Sequence, residues 1–269
     1  MTDKLQNLLS RLAACDRIAV AFSGGVDSTF LLAAAVKARG REKVLALLGE
    51  SPLRPQREIE KAHRLAARLG VALQPLPTRE LELEEFLANP PERCYICKRH
   101  LLGLAAAAAR QWHPATILVE GSNQDDLKEF RPGRKAVVEL GVQSPLAELG
   151  FTKTEIRACS RQLGLSTWNQ PAFSCLATRI PHASPITLTR LERIDKAETF
   201  LNEKGFSPVR VRDYQELCRL EISEHDLSRC LATGLRQELT QGLKKLGYRF
   251  ITLDLEGFSS GSLNPGDRT

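Results

Sequence analysis

Residues 23–28 read Ser-Gly-Gly-Val-Asp-Ser, and the residue types on either side restrict what that stretch can be. Before it, Arg17-Ile-Ala-Val-Ala-Phe22 is a compact apolar, β-branched run suited to a buried strand. After it, the apolar residues of positions 29–39 suit a helix. A strand, a glycine turn and a helix start therefore meet here. Gly24 and Gly25 allow positive φ and close approach of the backbone to a ligand, while the first N–H groups of a helix have no partners within it. Together with the Ser23 and Ser28 hydroxyls, those amides make a cradle for an anion. An ordinary βα turn is the plain alternative for two glycines alone; six consecutive residues at this joint favour the anion. Neither GxxxxGKS/T nor GxGxxG occurs, which disfavours a γ-phosphate transferase and a dinucleotide reader.

The rest of the chain supplies more units of the same kind. Residues 1–15 suit a leading helix, with Leu5, Leu8, Leu9 and Leu12 at helical spacing. Residues 43–48 suit a second strand, 59–69 a helix stopped by Gly70, and 71–76 a third strand. This alternation predicts an α/β fold with a doubly wound parallel sheet, whose ligand crevice lies beyond the strand carboxyl ends. Residues 78–93, acidic and proline-containing, are expected to be a mobile connection. A helix over 94–110 and a strand over 116–120 then deliver Gly121-Ser-Asn-Gln-Asp-Asp126 to the same crevice. Residues 130–150 read as loop-rich, Thr152 and Glu155 as a capping box opening a helix that ends near Gly164, and residues 170–185 as irregular. From Ile186 the pattern becomes a smaller α+β unit: a helix to Lys204, strands over 209–213, 217–222 and 249–255, and a helical stretch to Leu246. Two domains are expected, 1–184 for the nucleotide and 185–269 for substrate binding or oligomerisation.

Composition narrows the setting. No apolar run approaches the roughly 20 residues of a membrane span, and the first residues lack a secretory core, so the cytoplasm is the expected location. The net charge of +6 is dispersed without a basic tract or interleaved aromatics, so a phosphate-rich small molecule is a better partner than nucleic acid. Seven cysteines without an export signal are expected to be reduced, and pairs at metal spacing read first as ligands or redox groups.

Three groups of residues could carry chemistry. Cys94 and Cys97 form a CxxC pair, too few for a structural zinc site; they read either as ligands or as a redox or helix-packing pair. Cys175 lies in the irregular stretch Ser174-Cys-Leu-Ala-Thr-Arg179, with Arg179 and His182 as flanking cations that favour thiolate. Three thiolates suit an iron–sulfur cluster with one iron left open. Cys15, Cys159, Cys218 and Cys230 sit among apolar residues and read as small core residues. Alternation places Arg210 with Arg212, and Arg219 with Glu221, on one face of each of two strands. Two adjacent guanidinium groups can clamp a phosphate or carboxylate, although by pattern alone an exposed mixed-charge strand is expected.

The loop at 23–28 resembles the pyrophosphate loop of the PP-loop ATP pyrophosphatases, which cleave ATP between the α and β phosphates. Taken in order, SGGVDS, RCYICK, GSNQDD, RPG, SPL, GFTKTEIR, SCLATR, RVR, RLE, LDLEGF and GSLN resemble the LarE family over nearly the whole chain. Those are ATP-dependent sulfur transferases acting on pyridinium-3,5-biscarboxylic acid mononucleotide in the synthesis of a nickel-pincer nucleotide cofactor. The resemblance implies an acyl-adenylate, release of pyrophosphate and attack by sulfur. It implies that Ser23, Gly24, Gly25, Asp27 and Ser28 hold the pyrophosphate and help site Mg²⁺, with Asp126 near the nucleotide. Arg210 and Arg212 match a phosphate-binding pair, Glu221 its neighbouring acid, and Glu198 a further acid with a metal. Cys175 matches a cysteine that one branch of the family sacrifices, leaving dehydroalanine. Cys94 and Cys97 place this chain, by the resemblance, in a second branch, in which the three cysteines hold a [4Fe-4S] cluster carrying an extra sulfide, the open iron delivers that sulfide and the protein is not consumed; the sacrificial route is the alternative. A sulfide donor and a homo-oligomeric assembly are implied with it. Ser174, Thr178 and His182 depart from the residues usual in the family. The rival readings are a cluster-dependent tRNA thiolase, a PP-loop synthetase with incidental cysteines, and a nucleotide sensor without turnover.

Overall fold

The computed structural model describes residues 3–127, 132–171 and 174–259. Residues 128–131 with Phe130 and Arg131, residues 172–173, and the Gly-Ser-Leu-Asn element at 261–264 lie outside the described residues. The chain divides into two compact units, Met1–Glu80 with Glu92–Phe173, and Leu81–Pro91 with Ser174–Thr269.

The first unit is built on a parallel sheet of β1 (Arg17–Phe22), β2 (Val44–Glu50), β3 (Ala72–Pro77) and β4 (Thr116–Val119), in the order β3-β2-β1-β4. The side-chain period of two sends alternate residues of each strand to opposite faces. Ile18, Val20, Phe22, Val44, Ala46 and Leu48 pack on one side with α1 (Asp3–Ala13), α2 (Val26–Arg39), α3 (Gln56–Leu69) and α8 (Lys153–Gln162). Ala19, Leu45, Leu47 and Leu118 pack on the other with α5 (Arg93–Trp112) and α6 (Gly133–Glu139). The sheet is therefore doubly wound, as the alternation of strand and helix predicts. Ala105, Ala108 and Ala109 supply small side chains where α5 lies against the sheet. Residues 130–150 are more regular than expected, since α6 and α7 (Pro145–Glu148) form there; Leu146 and Val137 bury apolar side chains that loop residues would leave in water.

The second unit is a smaller α+β body. β5 (Val209–Tyr214) and β6 (Leu217–Ile222) form an antiparallel hairpin, and β7 (Phe250–Leu253) joins β6 in parallel. α9 (Leu188–Glu203), α10 (Leu227–Leu231) and α11 (Thr233–Lys245) accompany the sheet, whose core contains Leu201, Phe206, Val211, Leu220, Leu239 and Tyr248. The expected mobile connection is anchored instead. It contains α4 (Glu84–Leu87), Phe86 and Asn89 are buried, and the Asn89 amide donates to Pro181 O at 2.8 Å and Ser184 O at 2.9 Å. Among the described residues no helix is long and apolar enough to cross a membrane.

Phe30 of α2 is fully buried and its ring centroid lies 5.7 Å from that of Phe151. Phe30→Ala should cost about 3–5 kcal/mol of unfolding free energy, read as a lowered urea midpoint at unchanged slope.

Candidate active site

Ser23, Gly24 and Gly25 make the entire turn between β1 and α2. Gly24 has φ of 73°, and a Cβ there would lie 3.0 Å from Ala62 Cβ on α3, so both backbone shape and space require glycine. Ser23 Oγ and Ser28 Oγ are 2.9 Å apart, and the Ser23 N–H donates to Ser28 Oγ at 3.2 Å. The hydroxyls thus tie the two ends of the turn together. Arg54, on the segment after β2, donates from Nη2 to Ser23 O at 2.5 Å, and burial lowers its pKa from the usual value. Asp27, in the first turn of α2, accepts from Lys153 Nζ at 2.6 Å.

β4 lies beside β1 on the side away from β2, so the loop after it opens at the point where the strand order reverses. A Cβ on Gly121 would sit 3.0 Å from the Ser28 backbone nitrogen, so glycine lets this loop touch the start of α2. Asn123 N–H donates to Asp126 Oδ2 at 2.9 Å, and Lys153 N–H donates to Asp125 Oδ2 at 2.8 Å. Thr152 and Glu155 form the expected capping box, which fixes the start of α8 beneath these contacts. Glu120 closes the strand. It accepts from Lys98 Nζ at 3.0 Å, Ser122 N at 3.1 Å and Ser144 Oγ at 2.5 Å. Burial pushes its pKa upward, but Lys98 and the two serine hydroxyls outweigh burial and hold the carboxyl below its ordinary range.

In the second unit, Cys175 is half-buried and precedes the short 3-10 turn Leu176–Arg179. Arg179 braces that turn: Nη1 donates to Ser174 Oγ at 2.6 Å and Cys175 O at 3.2 Å, while Nε and Nη2 donate to the two Glu198 oxygens at 2.8 and 3.0 Å. Glu198 Oε1 also accepts from Val211 N at 3.1 Å. On the hairpin, Arg210 faces Glu221 and Arg212 faces Arg219. These were expected to form a solvated face, yet Arg210, Arg212 and Glu221 are 6%, 1% and 0% exposed. Pairing makes that burial tolerable. Arg212 Nη2 donates to Glu221 Oε2 at 2.6 Å and Nη1 to the Cys175 turn through Thr178 O at 2.8 Å, and Arg219 holds Glu221 Oε1 at 3.0 Å. Among the described residues Arg210 has no carboxylate within ion-pair distance; it lies over the Phe258 ring at 4.6 Å and donates to Ser259 O at 3.2 Å. Burial first, then the neighbouring Arg179 and Arg212 cations, lower its pKa to about 10.

Sequence reasoning singled out the glycine loop, Asp126, Cys175 and the hairpin arginines, and within each unit the structure gathers its share of them. It did not single out Lys153, Glu120, Lys98 or Arg54, because a lysine or glutamate next to a loop has no distinguishing pattern in one sequence. Cys94 is exposed and Cys97 half-buried in the first turns of α5, and the Cys97 thiol donates to Glu80 Oε1 at 3.5 Å. All seven cysteines are free thiols; Cys159, Cys218 and Cys230 are buried as small core residues, and burial pushes the Cys218 thiol up to about 12. Cys15 is half-buried against the core of the first unit. Among the described residues no three His, Cys, Asp or Glu side chains form a group that could hold a metal ion.

A model of the NAD synthase family matches residues 1–85. An uncharacterized protein of Synechocystis sp. is 38% identical over 268 residues, covering 98% of both chains. The pyridinium-3,5-bisthiocarboxylic acid mononucleotide synthase of Lactiplantibacillus plantarum is 34% identical over 264 residues, covering 98% of this chain and 95% of its own. This chain belongs to the LarE family. A glutamine-hydrolysing GMP synthase of Aeropyrum pernix is 30% identical over 214 residues, 70% of this chain and 40% of its own. The wider likeness to NAD and GMP synthases matches the PP-loop α/β fold of the first unit. As a LarE-family member the chain is an enzyme of the ATP-dependent sulfur-transfer class.

The Glu120 network has a pH signature. Its folded pKa lies below the unfolded value, so its stabilisation is complete above the ordinary glutamate range of about 4.3 and is lost as pH falls through the folded value. Glu120→Gln should flatten the acid limb of stability against pH, measured by urea unfolding at successive pH values. An acid limb as steep as that of the wild type would contradict this assignment.

Proposed function

We propose that this enzyme converts a carboxylate of pyridinium-3,5-biscarboxylic acid mononucleotide into a thiocarboxylate, using ATP to activate it and Cys175 to supply sulfur. The supporting observation is likeness along 98% of the chain to the L. plantarum synthase, whose name gives the thiocarboxylated product. Ser23, Gly24, Gly25 and Ser28 bind the pyrophosphate portion of ATP, and Asp126 lies toward the nucleotide. Asp27 offers a partly exposed carboxylate beside the loop, a donor that fits a hard cation. Asp27 would help hold Mg²⁺, which when bound would offset the repulsion between the phosphates and the attacking carboxylate.

Arg210 and Arg212 take the substrate phosphate. A buried guanidinium without a carboxylate partner gains most from a dianion, which makes Arg210 the stronger anchor. Glu221 orients Arg212 and Arg219, and Glu198 orients Arg179 across the Cys175 turn. The substrate carboxylate oxygen bonds to the α-phosphorus as the bridge to the β-phosphorus breaks and pyrophosphate leaves. The Cys175 thiolate then attacks the acyl carbon and AMP departs. Loss of the Cys175 α-proton with cleavage of its Cβ–Sγ bond releases the thiocarboxylate and leaves dehydroalanine.

Cys94 and Cys97, one turn apart on α5, favour a second reading, in which they and Cys175 carry a [4Fe-4S] cluster that receives sulfide from a donor. Both readings need the reduced thiols of a cytoplasm-like compartment. Cys175→Ala should abolish thiocarboxylate formation, measured by mass spectrometry of the product, while substrate-dependent pyrophosphate release continues. Thiocarboxylate formed by Cys175→Ala contradicts both readings. Wild-type protein that loses one sulfur per turnover and contains no iron after anaerobic reconstitution supports the sacrificial route; stoichiometric iron with an unchanged chain mass supports the cluster.

A further inference from the structure

β7 ends at Leu253, and residues 254–259 continue as a strap alongside β6. Asp254 N–H donates to Leu220 O at 2.9 Å and Phe258 N–H to Ile222 O at 2.8 Å, while the Asp254 carboxylate pairs with Arg219 Nε at 3.3 Å. Gly257 makes the bend between them: its φ is 74°, and a Cβ there would lie 3.0 Å from Ile222 O. The strap so fixed carries the Phe258 ring to Arg210, whose guanidinium lies over it at 4.6 Å from the ring centroid, and Ser259 O to Arg210 Nη1 at 3.2 Å. The residue opposite Arg210 in the hairpin is Glu221, and its carboxylate is already engaged by Arg212 and Arg219.

We infer that Phe258 is a positioning residue of the phosphate site, holding the Arg210 guanidinium in place without neutralising it. The inference rests on the phosphate-binding role proposed above for Arg210 and adds a residue to it. A buried cation must be compensated for the water it has lost, and a carboxylate would do so but cancel the charge. An aromatic face attracts the cation through its quadrupole, yet it bears no net charge and accepts no strong hydrogen bond. Arg210 therefore keeps both its charge and its donors for an incoming anion. Ser259 O is a neutral acceptor at 3.2 Å, and a phosphomonoester oxygen at the same donor makes the stronger, charge-assisted bond. Burial and, after it, the neighbouring Arg179 and Arg212 cations lower the Arg210 pKa to about 10, and those same cations add to the pull on a dianion.

Calorimetric titration of the full chain with nicotinic acid mononucleotide, and with the riboside that lacks its phosphate, tests this. Phe258→Leu keeps apolar bulk but removes the ring face. It should weaken mononucleotide binding roughly fivefold or more and leave riboside binding unchanged. Phe258→Tyr should retain the wild-type affinity. Phe258→Glu, which sets a carboxylate on the guanidinium, should lose the preference for the phosphorylated ligand as fully as Arg210→Met does. A Phe258→Leu protein that binds the mononucleotide as the wild type does, or that loses both ligands equally, would overturn the inference; loss of the preference in Arg210→Met would then leave the phosphate site standing. Wild-type protein that does not prefer the mononucleotide to the riboside, or Arg210→Met protein that still does, would overturn the phosphate-binding role of Arg210 and this inference with it.

Discussion

A turn that offers its own amides to an anion must satisfy conditions that most turns do not. Its backbone has to curl through positive φ at Gly24, its neighbours must leave no room for a Cβ, and the adjoining helix must start at once so that its first N–H groups point into the curl. Each condition recruits another element. Ala62 packs α3 against Gly24, Gly121 brings the loop after β4 onto the Ser28 amide, and Arg54 fastens the turn through Ser23 O. The parallel sheet places these parts together because β2 and β4 flank β1, opening its carboxyl end.

The second unit solves a different problem, the burial of charge. Four guanidinium groups, on Arg179, Arg210, Arg212 and Arg219, accompany three carboxylates, on Glu198, Glu221 and Asp254. The carboxylates are consumed in ion pairs, and the excess positive charge settles on Arg210, whose pKa falls to about 10. Such a network is costly to build for stability alone, because desolvation offsets much of the attraction. It suits the anion-holding role proposed for this unit, in which the same residues brace the Cys175 turn, as Arg212 does by bonding both Glu221 and Thr178 O.

Much of this was legible from residue order because it depends on local chemistry. β1 announces itself by a continuous apolar run, which only a strand buried on both faces tolerates, and α8 by a capping box whose two partners lie three residues apart. Other features depend on contacts distant in sequence. Nothing in residues 81–91 signals that Asn89 will close the turn at 180–184, so proline and acidic content suggested a loose connection. Alternation placed Arg210 and Arg212 on one face correctly, but the carboxylates that permit their burial come from other strands and helices. Lys153 escaped notice for the same reason, since its carboxylate lies 126 residues away in the chain.

All of the chemistry proposed for this enzyme begins with a carboxylate oxygen attacking the α-phosphorus of ATP at the glycine turn. That step leaves a signature in the products, because one oxygen of the carboxylate remains on phosphorus when sulfur displaces AMP. The decisive measurement is turnover of substrate labelled with heavy oxygen in its carboxylates, followed by mass analysis of AMP and pyrophosphate. One heavy oxygen in AMP and none in pyrophosphate is the predicted result; AMP free of label in the presence of thiocarboxylate product would contradict the account.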